Sequence, residues 1–119
     1  MVYMWVDDVR PCPAKHFNQD YELFNVNTVN DAMKVIRSQY KSGQTNFFLD
    51  LDNDASDEFT PYGGDYINIL KQLEDMRHQG HIRNMNVKVH IHSMNPVAAQ
   101  NMRAIIKANS SWMKEVSAL

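Results

Sequence analysis

Three aspartates at alternate positions in the middle of the chain have the residue type and spacing of a metal-binding cluster. Asp50, Asp52 and Asp54 come directly after residues 47–49, an apolar run that is typical of a buried strand. Carboxylates this close raise one another's pKa unless a cation or hydrogen-bond donors compensate their charge. Mg²⁺ would compensate it because it prefers oxygen ligands. The alternative is an ordinary polar loop, since Asp is also common in turns.

A second acidic pair, Asp7 and Asp8, follows the apolar and aromatic segment Val2–Val6, which is a strand candidate. In an open α/β sheet the carboxyl ends of parallel strands meet at one edge, where ligands bind. We therefore expect Asp7 or Asp8 to lie near Asp50 and to share one divalent cation with it. Turn chemistry before Pro11 explains the pair equally well on spacing alone.

Polar residues near a later strand candidate complete the candidate site. Residues 87–92 alternate apolar and polar side chains, and His92 is followed by Ser93. His92 is the candidate general acid or base because an imidazole titrates near neutral pH. Ser93 and the helix that begins near Asn95 could bind a phosphate through a hydroxyl group and backbone N–H groups. Arg10 could hold a phosphate or a carboxylate with its planar guanidinium group.

Two other residues with reactive side chains are explained without a functional role. His90 is expected to be solvated on an open face of the sheet rather than to bind a ligand. Cys12 is expected to be inert because no base partner for it is evident.

Apolar periodicity indicates strands that alternate with helices, which predicts a parallel sheet with right-handed crossovers. Because residues 87–92 alternate in polarity, we expect this strand at an edge of the sheet. The predicted order is 2-1-3-4, with a terminal helix in place of a fifth strand. The predicted strands are Val2–Val6, Glu22–Val26, 47–51 and 87–92, and the predicted helices begin at Thr28, Asp65, Asn95 and Ser110.

Length and composition favour one domain, spanning residues 1–119. The 12 Lys and Arg residues against 14 Asp and Glu residues give a net charge of -2, which does not favour an extended nucleic-acid-binding face. The single cysteine cannot form an internal disulfide bond, which favours a reducing compartment. With no apolar run of membrane-spanning length and no signal-peptide pattern, we expect a cytoplasmic protein.

Motifs along nearly the whole chain resemble the family of cyclic-phosphate processing receiver domains, in the order that the family has them. The His-Ser-x-Asn-Pro motif is the most specific of them. The matching segments are Val6-Asp7-Asp8-Val9-Arg10-Pro11, Leu49-Asp50-Leu51-Asp52, Gly64-Asp65, His92-Ser93-Met94-Asn95-Pro96 and Asn101-Met102. The resemblance implies a receiver-like, flavodoxin-like three-layer sandwich with an acidic Mg²⁺ pocket.

The resemblance also implies roles for individual residues. Two departures from the family bear on these roles. Leu51 stands where the family has His, which favours binding over catalysis if that His is catalytic. The chain also lacks the fifth strand with the Lys of signalling receivers, which argues against ordinary phospho-relay. The implied roles are metal binding for Asp7, Asp8, Asp50 and Asp52, catalysis for His92, Asp50 and Ser93, and ligand binding for Arg10 and Asn95.

Three functions follow from these observations. The first is a Mg²⁺-dependent protein that binds a cyclic phosphate or nucleotide, with or without hydrolysing it as a phosphoesterase. The second is a non-catalytic receiver-like interaction module that metal or phosphate regulates, as a homodimer through the strand-four edge or the terminal helix. The third is a small phosphatase with Asp50 as nucleophile, because Asp50-Leu51-Asp52 also resembles the nucleophile motif of haloacid dehalogenase phosphatases.

Overall fold

Strands and helices alternate along the chain in the computed structural model, which describes residues 1–17, 20–52 and 54–117. The strands are β1 (Val2–Val6), β2 (Glu22–Val26), β3 (Asn46–Leu51), β4 (Asn86–Ile91) and β5 (Met113–Glu115). The α-helices are α1 (Val29–Lys41), α2 (Ile67–His78) and α3 (Pro96–Ala108), and 3₁₀ turns lie at Ala14–His16 and Thr60–Tyr62. Within the described ranges, no helix has the length and apolar character that a membrane span requires.

All five strands are parallel and form one sheet in the order β2-β1-β3-β4-β5. The predicted order of the first four strands is confirmed. The predicted helix starts at Thr28 and Asn95 are also confirmed, because both side chains accept backbone hydrogen bonds as N-caps. The sheet brings the carboxyl ends of β1, β3 and β4 side by side.

The prediction of a terminal helix was wrong, because residues 113–115 form β5 beside β4. Trp112 and Met113 are only 6% and 2% exposed, so the chain turns back after α3 to bury them against the sheet. Strand four therefore has a neighbour along residues 87–89, where an open edge was predicted. The homodimer stays a prediction. Residues 118 and 119 of the predicted helix lie outside the described ranges.

All three α-helices lie on one face of the sheet. The connections through α1, α2 and α3 all advance across the sheet in the same direction, so right-handed crossovers place them on the same side. The connection from β1 to β2 runs the other way and covers the opposite face. It contains one 3₁₀ turn and no α-helix among its described residues, so the third layer of the sandwich is an irregular segment.

This thin third layer explains the alternating polarity of β4. Val87 and Val89 pack into the large core under the helices. Lys88 and His90 point to the opposite face, where the smaller apolar cluster consists of Tyr3, Trp5, Cys12 and Phe48. The alternating polarity of β4 therefore arises because one face of the sheet has no helix above it, and not because β4 is an edge strand.

Gly63 ends the 3₁₀ turn at Thr60–Tyr62 and packs against the start of α1, and we expect Gly63→Ala to be more destabilising than Gly43→Ala. Both glycines have positive φ angles, +116° and +104°. A Cβ atom at Gly63 would lie 2.7 Å from Cβ of Val29, whereas one at Gly43 would meet nothing within 4 Å. Urea denaturation should show a loss of about 1 kcal/mol for Gly43→Ala from the backbone alone and about 3 kcal/mol for Gly63→Ala. Equal losses would contradict the close contact.

Candidate functional site

The imidazole ring of His92 lies between the two acidic patches. Its Nε2 atom is 2.9 Å from Oδ2 of Asp7, and its Nδ1 atom is 2.5 Å from Oδ1 of Asp50. The backbone N–H of His92 donates to the carbonyl of Leu51, which extends the β3–β4 ladder to the end of the sheet. Asp7 and Asp50 meet beside an imidazole as predicted, but the ring of His92 lies between them and their oxygens belong to two different groups of possible metal ligands. This geometry does not support the predicted cation shared by Asp7 and Asp50, and the chemical roles of these residues stay predictions.

Each ring nitrogen of His92 faces a carboxylate oxygen. Carboxylate oxygens only accept hydrogen bonds, so each of these contacts is a hydrogen bond when the ring nitrogen carries a hydrogen. Trp5 lies flat against the same ring, with the centroids 4.1 Å apart and an interplanar angle of 3°. An aromatic face stabilises a cation by about 0.5–2 kcal/mol. Sequence reasoning missed Trp5, whose partner is distant in the chain.

Asp7 is buried, and each of its oxygens accepts two hydrogen bonds. Oδ1 accepts from the backbone N–H groups of Val9 and Arg10, both at 2.8 Å. Oδ2 accepts from Nε of Arg10 at 3.0 Å and from His92. Burial acts to raise the pKa of Asp7, but the hydrogen bonds from Arg10, Val9 and His92 outweigh it and hold the pKa below its usual range. Asp7 is therefore an ionised carboxylate at neutral pH.

The guanidinium group of Arg10 bridges Asp7 and Asp52. Its Nη2 atom is 3.1 Å from Oδ1 of Asp52, and its Nε atom contacts Asp7. The Arg10 side chain is 43% exposed, so it can leave this position without opening the core. The predicted pairing of Arg10 with a carboxylate is thus seen, and its positive charge lies where a cation shared by these two aspartates would bind.

The side chain of Asp50 is almost fully enclosed, at 3% exposed. Tyr3 donates its hydroxyl hydrogen to Oδ2, while Nδ1 of His90 lies 2.9 Å from Oδ1, the oxygen that His92 also contacts. Burial acts to raise the pKa of Asp50, but the hydrogen bonds from His92 and Tyr3 lower it below the usual range. A carboxylate with both oxygens engaged is poorly placed to attack a phosphorus atom, so the geometry does not favour Asp50 as a nucleophile.

His90 was expected to be solvated on an open face of the sheet. In the structure it is instead partly buried and contacts a carboxylate. Its side chain is 24% exposed and its ring contacts Asp50. The two residues are direct partners in the β3–β4 register. The alternation of β4 placed His90 and His92 on one face, but only the register shows which residue they meet.

Asp8, Ser93 and Asn95 have local structural partners. Asp8 accepts a hydrogen bond from the backbone N–H of Ser56 and holds the loop after β3, so it does not contact His92. The Ser93 hydroxyl accepts from the backbone N–H of Asn95, and the Asn95 amide donates to Asp54 at 3.3 Å. An open cleft of about 380 Å³ lies beside them, lined by Val9, Arg10, Asp52, Asp54, Ser93, Met94 and Asn95.

A hydrogen-bonded chain behind Asp50 was not predicted. Nε2 of His16 lies 3.1 Å from the Tyr3 hydroxyl, and Nδ1 of His16 lies 3.3 Å from the hydroxyl of Tyr21. His16 is 4% exposed and stacks on Tyr3 with the ring centroids 4.6 Å apart. Burial lowers the pKa of His16, which favours the neutral ring. The irregular segment that carries His16 has no periodicity from which this packing could be read.

Cys12 is expected to react slowly with thiol reagents. It is 6% exposed, and burial together with the negative charge of Asp50 raises the pKa of its thiol. In the folded protein, an aromatic disulfide reagent should label Cys12 at least about tenfold more slowly than in the unfolded chain, because the thiolate is the reactive form. The chain in guanidinium chloride is the internal control, and equal rates would contradict the prediction.

Comparison with known proteins identifies the family. The family model described as cyclic-phosphate processing receiver domain matches residues 2–108, a range that contains every residue of the site described above. Neither the curated proteins nor the solved structures contain a match to the chain.

Proposed function

Because the chain belongs to the family of cyclic-phosphate processing receiver domains, we propose that it binds and hydrolyses a cyclic phosphate or cyclic nucleotide with Mg²⁺. The observation that carries this proposal is the imidazole ring of His92, held between the carboxylates of Asp7 and Asp50 at the end of the sheet. The open cleft of about 380 Å³ beside it has the size of a small-molecule site.

The donor atoms at the outer side of His92 fit a hard cation. Oxygen atoms of Asp7 and Asp52 lie within 4.8 Å of one another and of a ring nitrogen of His92. The two carboxylates would hold the cation, while the ring keeps its proton for the reaction. Carboxylates are the ligands that Mg²⁺ prefers, and it keeps several waters besides. Arg10 would leave the position between the two aspartates when a cation binds there. Bound Mg²⁺ would supply a Lewis acid that polarises a phosphoryl oxygen.

The ligand phosphate would be held by residues that line the cleft. Arg10, once released from the aspartates, presents a planar fork that matches two phosphate oxygens. Ser93 offers a hydroxyl group, and Asn95 stands at the start of α3, where the helix dipole favours an anion. This arrangement places the negative ligand at the end of the site that is most exposed to solvent.

His92 would supply the proton in the reaction. In hydrolysis a water oxygen bonds to phosphorus, one ring P–O bond breaks, and the released oxygen needs a proton. With a hydrogen on Nε2, the nitrogen that faces Asp7, His92 would donate it to the released oxygen, while Asp50 holds the other ring nitrogen in place and the attacking water gives up a proton to solvent. Leu51, which replaces the family's His, is fully buried under the helices, so proton transfer depends on His92.

The direct test uses cyclic nucleotides with five- and six-membered phosphate rings, with and without Mg²⁺. We expect a ring-opened phosphomonoester in the presence of Mg²⁺, its loss with a chelator, and a ligand-induced rise in melting temperature. Absence of both turnover and a melting-temperature rise across the panel would overturn the proposal.

Asp52→Asn is expected to weaken Mg²⁺ binding at least about tenfold, because it removes one of the two carboxylates of the cation site and carboxylate oxygens are preferred ligands. Calorimetric titration with Mg²⁺ measures the effect. Asp75→Asn is the matched control, since Asp75 is an exposed carboxylate on α2. Unchanged Mg²⁺ affinity in Asp52→Asn would place the cation elsewhere.

A further inference from the structure

Two imidazole nitrogens converge on one carboxylate oxygen at the sheet face that has no helix above it. Nδ1 of His90 and Nδ1 of His92 lie 2.9 Å and 2.5 Å from Oδ1 of Asp50. His90 is the register partner of Asp50, and His92 is two residues further along, on the same face. The three donor atoms lie within 4.8 Å of one another.

Two of these three side chains are also held from outside by further hydrogen-bonding groups. Nε2 of His92 contacts Asp7 at 2.9 Å, which leaves Nδ1 directed at Asp50. The Tyr3 hydroxyl occupies Oδ2 of Asp50, which leaves Oδ1 directed at the two rings. Carboxylate–histidine contacts and hydrogen-bonded carboxylates of this kind orient ligands in protein metal sites.

We propose that Asp50, His90 and His92 form a binding site for a transition-metal ion of the class of Zn²⁺, Co²⁺ and Ni²⁺. Two nitrogen ligands and one oxygen ligand suit these ions, whereas Mg²⁺ prefers oxygen alone. The metal takes the place of hydrogen on Nδ1 of both rings. His92 keeps Nε2–H on Asp7 and releases any Nδ1 proton to solvent, and neutral His90 carries its hydrogen on Nε2. Three protein ligands leave one coordination position for water or another small ligand.

The site is accessible and is separate from the Mg²⁺ position proposed above. The His90 side chain is 24% exposed, and the layer over this face is an irregular segment, so an ion can enter from solvent. The Mg²⁺ position lies on the Nε2 side of His92, between Asp7 and Asp52, and His90 takes no part in it. The inference therefore stands independently of cyclic-phosphate hydrolysis.

Titration of the purified protein with Co²⁺ is the test. We expect one equivalent to bind, with a visible d–d absorption that Zn²⁺ abolishes by displacement. His90→Gln should lower Co²⁺ affinity at least about tenfold. Removing a residue that only orients a metal ligand already lowers metal affinity by about that factor, and removing a ligand itself should lower it at least as much. His78→Gln, at an exposed histidine of α2, is the matched control and should bind Co²⁺ like the wild type.

Two further measurements separate the outcomes. In the wild type, Zn²⁺ should shift the imidazole nitrogen resonances of His90 and His92 but not of His78, a readout that needs no variant to fold. No Co²⁺ binding at millimolar concentration, or wild-type affinity in a folded His90→Gln, would overturn the inference. If His90→Gln loses Co²⁺ while Mg²⁺-dependent turnover fails in the wild type, this site stands and only the proposed function fails.

Discussion

Asp50→Ala is expected to lower the free energy of unfolding by about 3–5 kcal/mol, the usual cost of removing one partner from a buried charge pair. The substitution leaves the Tyr3 hydroxyl and the ring of His92 without their acceptor, and both are buried or nearly so. It also removes the partner of His90, so that three donors lose one carboxylate at once. Guanidinium denaturation at neutral pH measures the loss.

Two control variants separate charge from shape at this position. Asp50→Asn keeps the volume and one acceptor oxygen, so we expect a smaller loss than for Asp50→Ala. Asp75→Ala removes an exposed carboxylate from α2 and should change stability by less than about 0.5 kcal/mol. A loss below about 1 kcal/mol for Asp50→Ala would show that the buried network contributes little to stability.

His92→Gln is expected to lower the rate constant kcat for cyclic-phosphate hydrolysis about 100- to 10,000-fold, the contribution of a positioned acid or base. Glutamine can hydrogen-bond to the carboxylates of Asp7 and Asp50, but it cannot donate a proton to the leaving oxygen. The ligand-induced rise in melting temperature should therefore persist. Single-turnover kinetics with the substrate found in the panel provide the measurement.

His78→Gln is the matched control for this experiment, because His78 is an exposed histidine at the end of α2. It should keep wild-type kcat. If His92→Gln retained a tenth or more of the wild-type rate, His92 would not be the proton donor, and its contacts would serve to orient the two carboxylates.

Features that depend on near neighbours in the chain were predictable from the sequence. The apolar runs of β1 and β3, the N-caps Thr28 and Asn95, and the periodicities of α1, α2 and α3 are local patterns, and the structure confirms each of them. Parallel strands that end in polar residues must present them at one edge of the sheet. The meeting of Asp7, Asp50 and His92 follows from these rules, although the residues are up to 85 positions apart.

Features that depend on register and on the layer above each face were decided by tertiary structure. The alternating polarity of β4 is the same whether the strand lies at an edge or has one face without a helix above it. The sequence therefore predicted neither the contact of His90 with Asp50 nor the presence of β5. Tyr3 and His16 approach Asp50 only because an irregular segment packs on the face that the helices leave open. Periodicity carries no information about such a segment, since its side chains are placed by distant packing partners and not by its own backbone repeat.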